Sequence, residues 1–165
     1  MPYETPEHPF ISFLEKNASD RALLADLRRG LGSNRIVLYR YITPFISAAQ
    51  DDNSAAREAD LLLIGGLFGL HPVSTRTGNM GDHLRALAQD AGDDTATTRR
   101  FVQLLNLRRP TLDVPLRQHI SLLKAKEIPV NWQQLLADLR RWDAPSRAVQ
   151  KQWARAYWRS NAKKL

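Results

Sequence analysis

The chain has no cysteine among its 165 residues, so it can form neither a disulfide bond nor a thiolate metal site. Its longest apolar run, LLLIGGLFGL at residues 61–70, is too short to cross a bilayer. The first ten residues, MPYETPEHPF, are acidic and proline-rich, unlike a signal peptide. Together these absences predict a soluble cytoplasmic protein that does not enter the membrane.

Motifs of catalytic sites are also missing. The sequence contains no glycine-rich phosphate loop, no H-E-x-x-H and no G-x-S-x-G. Its four histidines, His8, His71, His83 and His119, are far apart, and none forms a ligand motif with a carboxylate. A lone histidine on an amphipathic helix is more often structural than a general base. We therefore expect a protein with no enzymatic activity, metal or cofactor.

Charge is distributed unevenly along the chain, which has a net charge of +7. Residues 1–98 hold 9 Lys/Arg and 13 Asp/Glu, whereas residues 99–165 hold 15 Lys/Arg and only 4 Asp/Glu. The second part therefore carries a net charge of +11 and the first part −4. This asymmetry suggests a polyanionic partner for the second part, although a basic surface that only aids solubility is an open alternative.

The hydrophobic residues recur at helical spacing, and strand-like alternation is missing. We expect an all-α helical bundle of about eight to nine helices. Composition and charge change together near residue 92, which predicts a boundary between residues 1–92 and 93–165. The first expected helix starts near Pro9. The others cover residues 20–32, 36–50 (kinked or split at Pro44), 54–70, 80–89, 95–106, 114–126, 132–142 and 146–160.

Two local features carry further structural predictions. Asp113 and Asn131 precede helical segments and are suitable N-cap residues. Gly65, Gly66 and Gly69 lie in an apolar segment, where each glycine costs about 1 kcal/mol relative to alanine. Their presence predicts that another helix crosses this segment at close range.

The last helix, VQKQWARAYWRS, places Trp153 and Trp158 in different environments. At 100° per residue, one face is an apolar stripe that includes Trp153, and the opposite face is a basic ridge. The stripe consists of Val149, Trp153, Ala156 and Tyr157, and the ridge of Arg147, Lys151, Arg155 and Arg159. Trp158 lies beside the ridge, either packed against another helix or subunit, or stacked on a nucleic-acid base.

Other helices of the second part also have cations off their apolar faces, among them Arg99, Arg117 and Lys124. Such a surface, assembled from several helices, suits contact with a phosphate backbone, which gives affinity without sequence information. No helix resembles the recognition helix of a helix-turn-helix protein.

Several segments occur in an order that is specific: FISFLEK, ALLADLRRGLG, LLLIGGLFGLHP, TGNMGDHLRALA, TTRRFVQLLN, LRQHISLLKAKEIPVNWQQLLADLRRWD and VQKQWARAYW. With this ordered set the chain resembles the CasB family, the small subunit of the type I-E CRISPR Cascade complex. The resemblance extends from about Phe10 to Trp158, and residues 99–142 are its most specific part.

The resemblance implies an all-helical, non-enzymatic protein of two small lobes. It implies a pair of small subunits beside the crRNA-bearing CasC backbone and near CasA, in a complex that also contains CasD and CasE. Its implied role in antiviral defence is to hold the crRNA–target R-loop open, through basic residues that contact nucleic acid and above all the displaced non-target DNA strand.

The predicted nucleic-acid-binding residues come from two sources. The resemblance places six family positions, which are Arg28, Arg29, Arg57, Arg99, Arg100 and Arg117. Charge and helix face add Arg76, Lys124, Lys126, Arg140 and Arg141. Two other functions are open at this point: a helical, sequence-specific DNA-binding regulator, and a purely structural scaffold subunit.

Overall fold

A computed structural model describes residues 5–46 and 54–159. Over these ranges the regular structure is helical, and the expected all-α fold is confirmed. The α-helices are α1 Pro9–Lys16, α2 Arg21–Arg29, α3 Tyr39–Ile42, α4 Ser54–Leu70, α5 Met80–Asp90, α6 Thr95–Leu105, α7 Asp113–Ala125, α8 Trp132–Arg140 and α9 Ala148–Tyr157. Short 3₁₀ segments cover Arg35–Leu38, Thr43–Phe45 and Arg109–Thr111.

Helix α4 is the centre of the fold. Its C-terminal part is apolar on every side, and most of residues 60–69 are buried. Helices α1, α2, α3, α7 and α8 all pack against it, so it is in contact with both halves of the sequence. A helix that is apolar all round has no face for solvent, which is why it occupies the core.

The close crossing predicted from the α4 glycines is confirmed, and the crossing helix is α2. A Cβ atom added at Gly69 would lie 2.5 Å from the Cβ atom of Leu27 and 2.9 Å from the backbone nitrogen of Arg28. At Gly66 the added atom would lie 2.5 Å from the side chain of Leu31. Gly69 excludes a larger residue because the two helix backbones nearly touch there, and at Gly66 a larger residue would have to displace the Leu31 side chain that follows α2.

A second close approach joins α5 to α9. A Cβ atom added at Gly81 would lie 2.1 Å from the carbonyl oxygen of Trp153. Helix α5 also packs against α6 and α7, so buried hydrophobic residues from both halves of the chain form one cluster. The division at residue 92 stays a prediction.

Three of the four tryptophans fill this core, and each donates its indole N–H to an acceptor. Nε1 of Trp132 donates to the carbonyl oxygen of Val73 at 3.2 Å, and Nε1 of Trp142 donates to that of Leu107 at 2.9 Å. The prediction that Trp153 is a core residue is confirmed, since it is fully buried and donates to the buried Asp138 at 2.7 Å.

Some local predictions need correction. The segment expected to form a third helix is instead two 3₁₀ turns around the four-residue α3, and its residues 47–50 lie outside the described part. Asp113 is not an N-cap, because it lies inside the first turn of α7 and its carboxylate binds Arg109. Asn131 is confirmed as a cap, since its side chain accepts from the backbone N–H of Gln134 at 3.2 Å.

The last helix also starts later than predicted. It begins at Ala148, and Arg147 precedes it in the left-handed region with φ of 52°. Along the described ranges, no helix is both long and apolar enough to cross a membrane.

Candidate nucleic-acid interface

All the cations predicted to bind nucleic acid are exposed. None of their side chains is used in the hydrophobic core, in agreement with their positions off the apolar faces. They differ in their partners, and those partners separate them into groups. The set is Arg28, Arg29, Arg57, Arg76, Arg99, Arg100, Arg117, Lys124, Lys126, Arg140 and Arg141.

Five of these cations have neither a carboxylate partner nor a side-chain hydrogen bond among the residues that the structure describes, whereas Arg140 and Arg141 lack a carboxylate but contact His8 and Gln152. The five are Arg28, Arg99, Arg100, Arg117 and Lys124. An exposed guanidinium or ammonium group without an internal partner can bind a phosphate and lose no ion pair. We name these five residues the open cations.

Other predicted cations are already paired within the chain. Arg76 in the α4–α5 loop reaches Glu7 at 3.0 Å and Glu15 at 3.3 Å, and Lys126 reaches Asp90 at 3.2 Å. Arg29 pairs with Asp26 at 2.8 Å, three residues before it on α2. Exposed pairs of this kind contribute only about 0–1 kcal/mol, so a phosphate can compete for these cations. Their role in binding stays a prediction.

Arg57 and Arg140 meet at a surface cavity of about 520 Å³, which is also lined by His8, Glu58 and Asp60. Nη2 of Arg140 lies 3.4 Å from Nε2 of His8. Burial lowers the pKa of Arg140, with the charge of Arg57 acting in the same direction and that of Asp60 opposing it. The cavity thus has charges of both signs.

Helices α6 and α7 also carry open cations. Arg100 on α6 is close enough to α7 for its charge to lower the pKa of His119, although burial is the larger cause. Arg117 lies two residues before His119 and is exposed, because Leu116, His119 and Ile120 form the buried face of α7. The open cations Arg100 and Arg117 are thus exposed on α6 and α7, and among the described residues no contact between them is seen.

The basic ridge predicted on the last helix is only partly present. Lys151 and Arg155 are exposed on α9, as predicted. Arg147 is not part of the ridge, since it precedes the helix and its guanidinium donates to the carbonyl oxygen of Leu105. Arg159 lies 3.6 Å from Asp82. Trp158 is 49% exposed.

The sequence did not single out Arg109, which has a structural role. Its guanidinium binds Asp60 on α4 at 2.7 Å and Asp113 on α7 at 2.6 Å. Arg35 extends this cluster by contacting Asp113 at 3.7 Å. The neighbouring Arg108 is exposed, and in the sequence the two arginines are alike. Only the position of the buried Asp60 distinguishes them.

Three of the four histidines are buried and bonded to backbone groups. Nε2 of His71 lies 2.7 Å from the carbonyl oxygen of Ile128, and Nδ1 of His119 lies 2.7 Å from that of Pro115. Nε2 of His83 accepts from the backbone N–H of Asn131 at 3.0 Å. In the described ranges no group of three or more His, Asp or Glu side chains could hold a metal ion. That the protein is not an enzyme stays a prediction.

His83 is expected to make the protein less stable in acid. Burial lowers the pKa of His83 to about 4 from 6.5. Between these values the unfolded chain binds a proton that the folded protein does not, so stability falls as the pH drops from 6.5 towards 4. His83 alone should remove about 2 kcal/mol between pH 7 and pH 5. Urea unfolding at a series of pH values measures this loss.

The variant His83→Gln is the control, because an amide oxygen can accept the same Asn131 N–H and does not titrate. Its stability should change by about 2 kcal/mol less than that of the wild type over this pH range. Equal pH dependence of the two proteins would show that His83 does not cause the loss.

Comparison with known proteins decides the family. Residues 23–158, most of the chain, match the family described as CRISPR-associated protein Cse2. A CRISPR-associated protein Cse2 from Thermus thermophilus is 33% identical over 122 residues, which are 74% of this chain and 68% of that protein. The chain belongs to the Cse2 family. The resemblance to CasB stated from the sequence is thereby confirmed.

Solved structures of Cse2-like proteins share the fold. CasB from Thermus thermophilus is 26% identical with a TM-score of 0.74, and the match covers 93% of this chain and all of that one. A chain of a CRISPR RNA-guided surveillance complex is 22% identical with a TM-score of 0.77, covering 91% and 90% of the two chains. The second likeness shows the fold alone. The Cse2 family match runs from within α2 to the end of α9 and includes all five open cations.

Proposed function

We propose that this Cse2-family chain is a non-catalytic, nucleic-acid-binding subunit of a type I-E CRISPR RNA-guided surveillance complex. In this proposal its basic surface stabilises the R-loop by holding the displaced non-target DNA strand. Its partners are crRNA, target and non-target DNA, a second copy of itself, and the subunits CasA, CasC, CasD and CasE. The division of the chain at residue 92 into two lobes is part of the proposal.

The observation that carries the proposal is the set of open cations. Two of the predicted cations, Arg29 and Arg76, are held by carboxylates on the same protein. The open cations lie on α2, α6 and α7 and have no such partner in the described part of the chain. Cations spread over several helices favour contact with a strand, because phosphates recur along it whatever its sequence.

The energetics of an R-loop make such a surface sufficient. The RNA–DNA duplex that forms is about as stable as the DNA duplex that it replaces, so modest protein contacts can shift the equilibrium. Each phosphate contacted on a single strand makes the slope of log affinity against log salt more negative by about 0.7. A few arginines are therefore enough to stabilise the open state, with no catalytic group.

Reversing three open cations should weaken R-loop formation and leave the fold intact. In the variant Arg99→Glu/Arg100→Glu/Arg117→Glu, the charges lost are exposed, so helix content and unfolding midpoint should change little. The slope of log R-loop affinity against log salt should become less steep by about 2, as expected for the loss of three phosphate contacts. The measurement is R-loop formation by the assembled complex, followed by gel shift over a range of salt concentrations.

A matched control reverses the same number of charges elsewhere. Lys16, Arg21 and Arg108 are exposed, and none was predicted to bind nucleic acid. The variant Lys16→Glu/Arg21→Glu/Arg108→Glu should keep the R-loop affinity and its salt dependence. If both triple variants lose affinity equally, net charge and not the open cations is responsible. If the first variant behaves like the wild type, the proposed surface is wrong.

Two other functions, a sequence-specific regulator and a purely structural subunit, are distinguished by further tests. A sequence-specific regulator would bind one duplex in preference to random DNA in a competition assay with the isolated chain. A purely structural subunit would leave a labelled displaced strand uncrosslinked in the assembled complex. Co-purification of crRNA with this chain separates the regulator from both subunit functions.

A further inference from the structure

Trp158 is the tryptophan that the core does not use. The indole N–H groups of Trp132, Trp142 and Trp153 all donate hydrogen bonds inside the protein. Trp158 is 49% exposed, and its indole N–H has no partner within the described residues. Exposing an indole that could pack inward has a cost, so its position needs a physical reason.

The residues behind Trp158 hold its ring on the surface. The rings of Phe101 and Tyr157 stack at 4.2 Å and fill the space beneath it. The Trp158 ring lies 5.4 Å from Phe101 and 5.2 Å from Tyr157, and the Tyr157 hydroxyl bonds that of Thr98 at 2.7 Å. Trp158 therefore packs one side of its ring on Phe101 and Tyr157, and part of its ring remains open to solvent.

Helix α9 carries exposed cations on the side of Trp158. Carboxylates are also near: burial raises the pKa of Tyr157 and the charge of Asp94 acts in the same direction, and Asp82 lies 3.6 Å from Arg159. Residues 144–159 contain four Lys/Arg and no Asp or Glu. Lys151 and Arg155 are exposed, and neither has a carboxylate partner in the described ranges. Arg155 lies three residues and Lys151 seven residues before Trp158, spacings that place all three side chains on one side of the helix. This complements a polyanion.

Among the described residues, Trp158 is the one large exposed hydrophobic side chain at α9. Val102, 40% exposed, follows Phe101 on α6, whereas the other exposed large hydrophobic residues of the described part, Ile36, Val73 and Val114, lie on other elements. Protein-binding patches usually extend over several hundred Å². A single exposed indole matches the face of a single base, for which stacking on an aromatic ring is the usual mode of contact.

We propose that Trp158 is a stacking platform for one base of a single-stranded nucleic acid, whose flanking phosphates are bound by Lys151 and Arg155. This inference rests on the proposed function for the nature of the ligand and adds a base contact to it. Stacking tolerates every base, so the site adds affinity without sequence preference. None of the open cations is part of it.

The test uses the full chain and two single-stranded oligonucleotides of about 15 nucleotides, one of thymidine and one abasic. Binding of the thymidine oligonucleotide should quench the fluorescence of the accessible Trp158. The substitution Trp158→Ala should weaken the affinity for this oligonucleotide about fivefold or more. Trp158→Phe keeps a ring and should retain most of the affinity. The abasic strand should bind the wild type and Trp158→Ala alike. Val114→Ala, an exposed apolar residue on α7, is the matched control.

Equal thymidine affinity of wild type and Trp158→Ala would overturn the platform, as would no measurable binding by the wild type at low salt. If Trp158→Ala keeps its oligonucleotide affinity but no longer joins the assembled complex, a protein subunit covers the indole and the inference is wrong. The R-loop assay of the Arg99/Arg100/Arg117 variant tests the proposed function separately, because Trp158 is unchanged in that variant.

Discussion

Replacing Gly81 with alanine is expected to destabilise the protein by about 3 kcal/mol or more. The added Cβ atom would lie 2.1 Å from the carbonyl oxygen of Trp153 and 2.8 Å from its carbonyl carbon. Both are backbone atoms, so no rotamer change can relieve the clash and α5 must move away from α9. The measurement is the free energy of unfolding by urea, with circular dichroism to confirm that the variant is folded.

Helix propensity alone predicts the opposite result, that Gly81→Ala makes the protein more stable. In an unhindered helix, alanine is more stable than glycine by about 1 kcal/mol. Gly32 supplies the control, since a Cβ atom there would lie 3.6 Å from the nearest contact, the carbonyl oxygen of Arg29. Gly32→Ala should change stability by less than about 1 kcal/mol. Unchanged or greater stability of Gly81→Ala would refute the close packing of α5 on α9.

Replacing Arg109 with methionine is expected to cost about 3–5 kcal/mol, the usual result of removing one partner from a buried ion pair. The carboxylate of Asp60 is buried, and burial raises its pKa, an effect that the Arg109 guanidinium opposes. Without Arg109 the charge of Asp60 has lost its partner at 2.7 Å. Urea unfolding at neutral pH measures the loss.

Two further variants define the cause. Arg108→Met removes the adjacent exposed arginine and should change stability by less than about 0.5 kcal/mol. Asp60→Leu/Arg109→Met removes both charges and should recover much of the loss, because an apolar pair replaces the ion pair. If the stability effects of the two substitutions are instead additive, Asp60 and Arg109 do not interact. The loss of their ion pair, which links α4 to the 3₁₀ turn before α7, would then not explain the lower stability of Arg109→Met.

The sequence was a good guide to helices and faces where the apolar pattern was strong. The bounds of α4 agree with those predicted, because its apolar run and the polar loops around it are unambiguous. The stripe of α9 was also right, since Val149, Trp153 and Tyr157 are buried. The prediction was wrong at Asp113, where the tertiary contact with Arg109 replaces a local capping bond. Local patterns cannot reveal a competing partner from a distant segment.

The sequence by itself determined the helical fold, the exposed positions of the cations and the family, because each follows from periodicity or from an ordered set of segments. The tertiary structure decided which cations are open and which are paired, because a carboxylate partner such as Glu7 for Arg76 is distant in sequence. It also decided the two environments of the α9 tryptophans. Trp153 is enclosed by Asp138 and α5, whereas Trp158 packs on the outside of the Phe101–Tyr157 pair and stays half exposed.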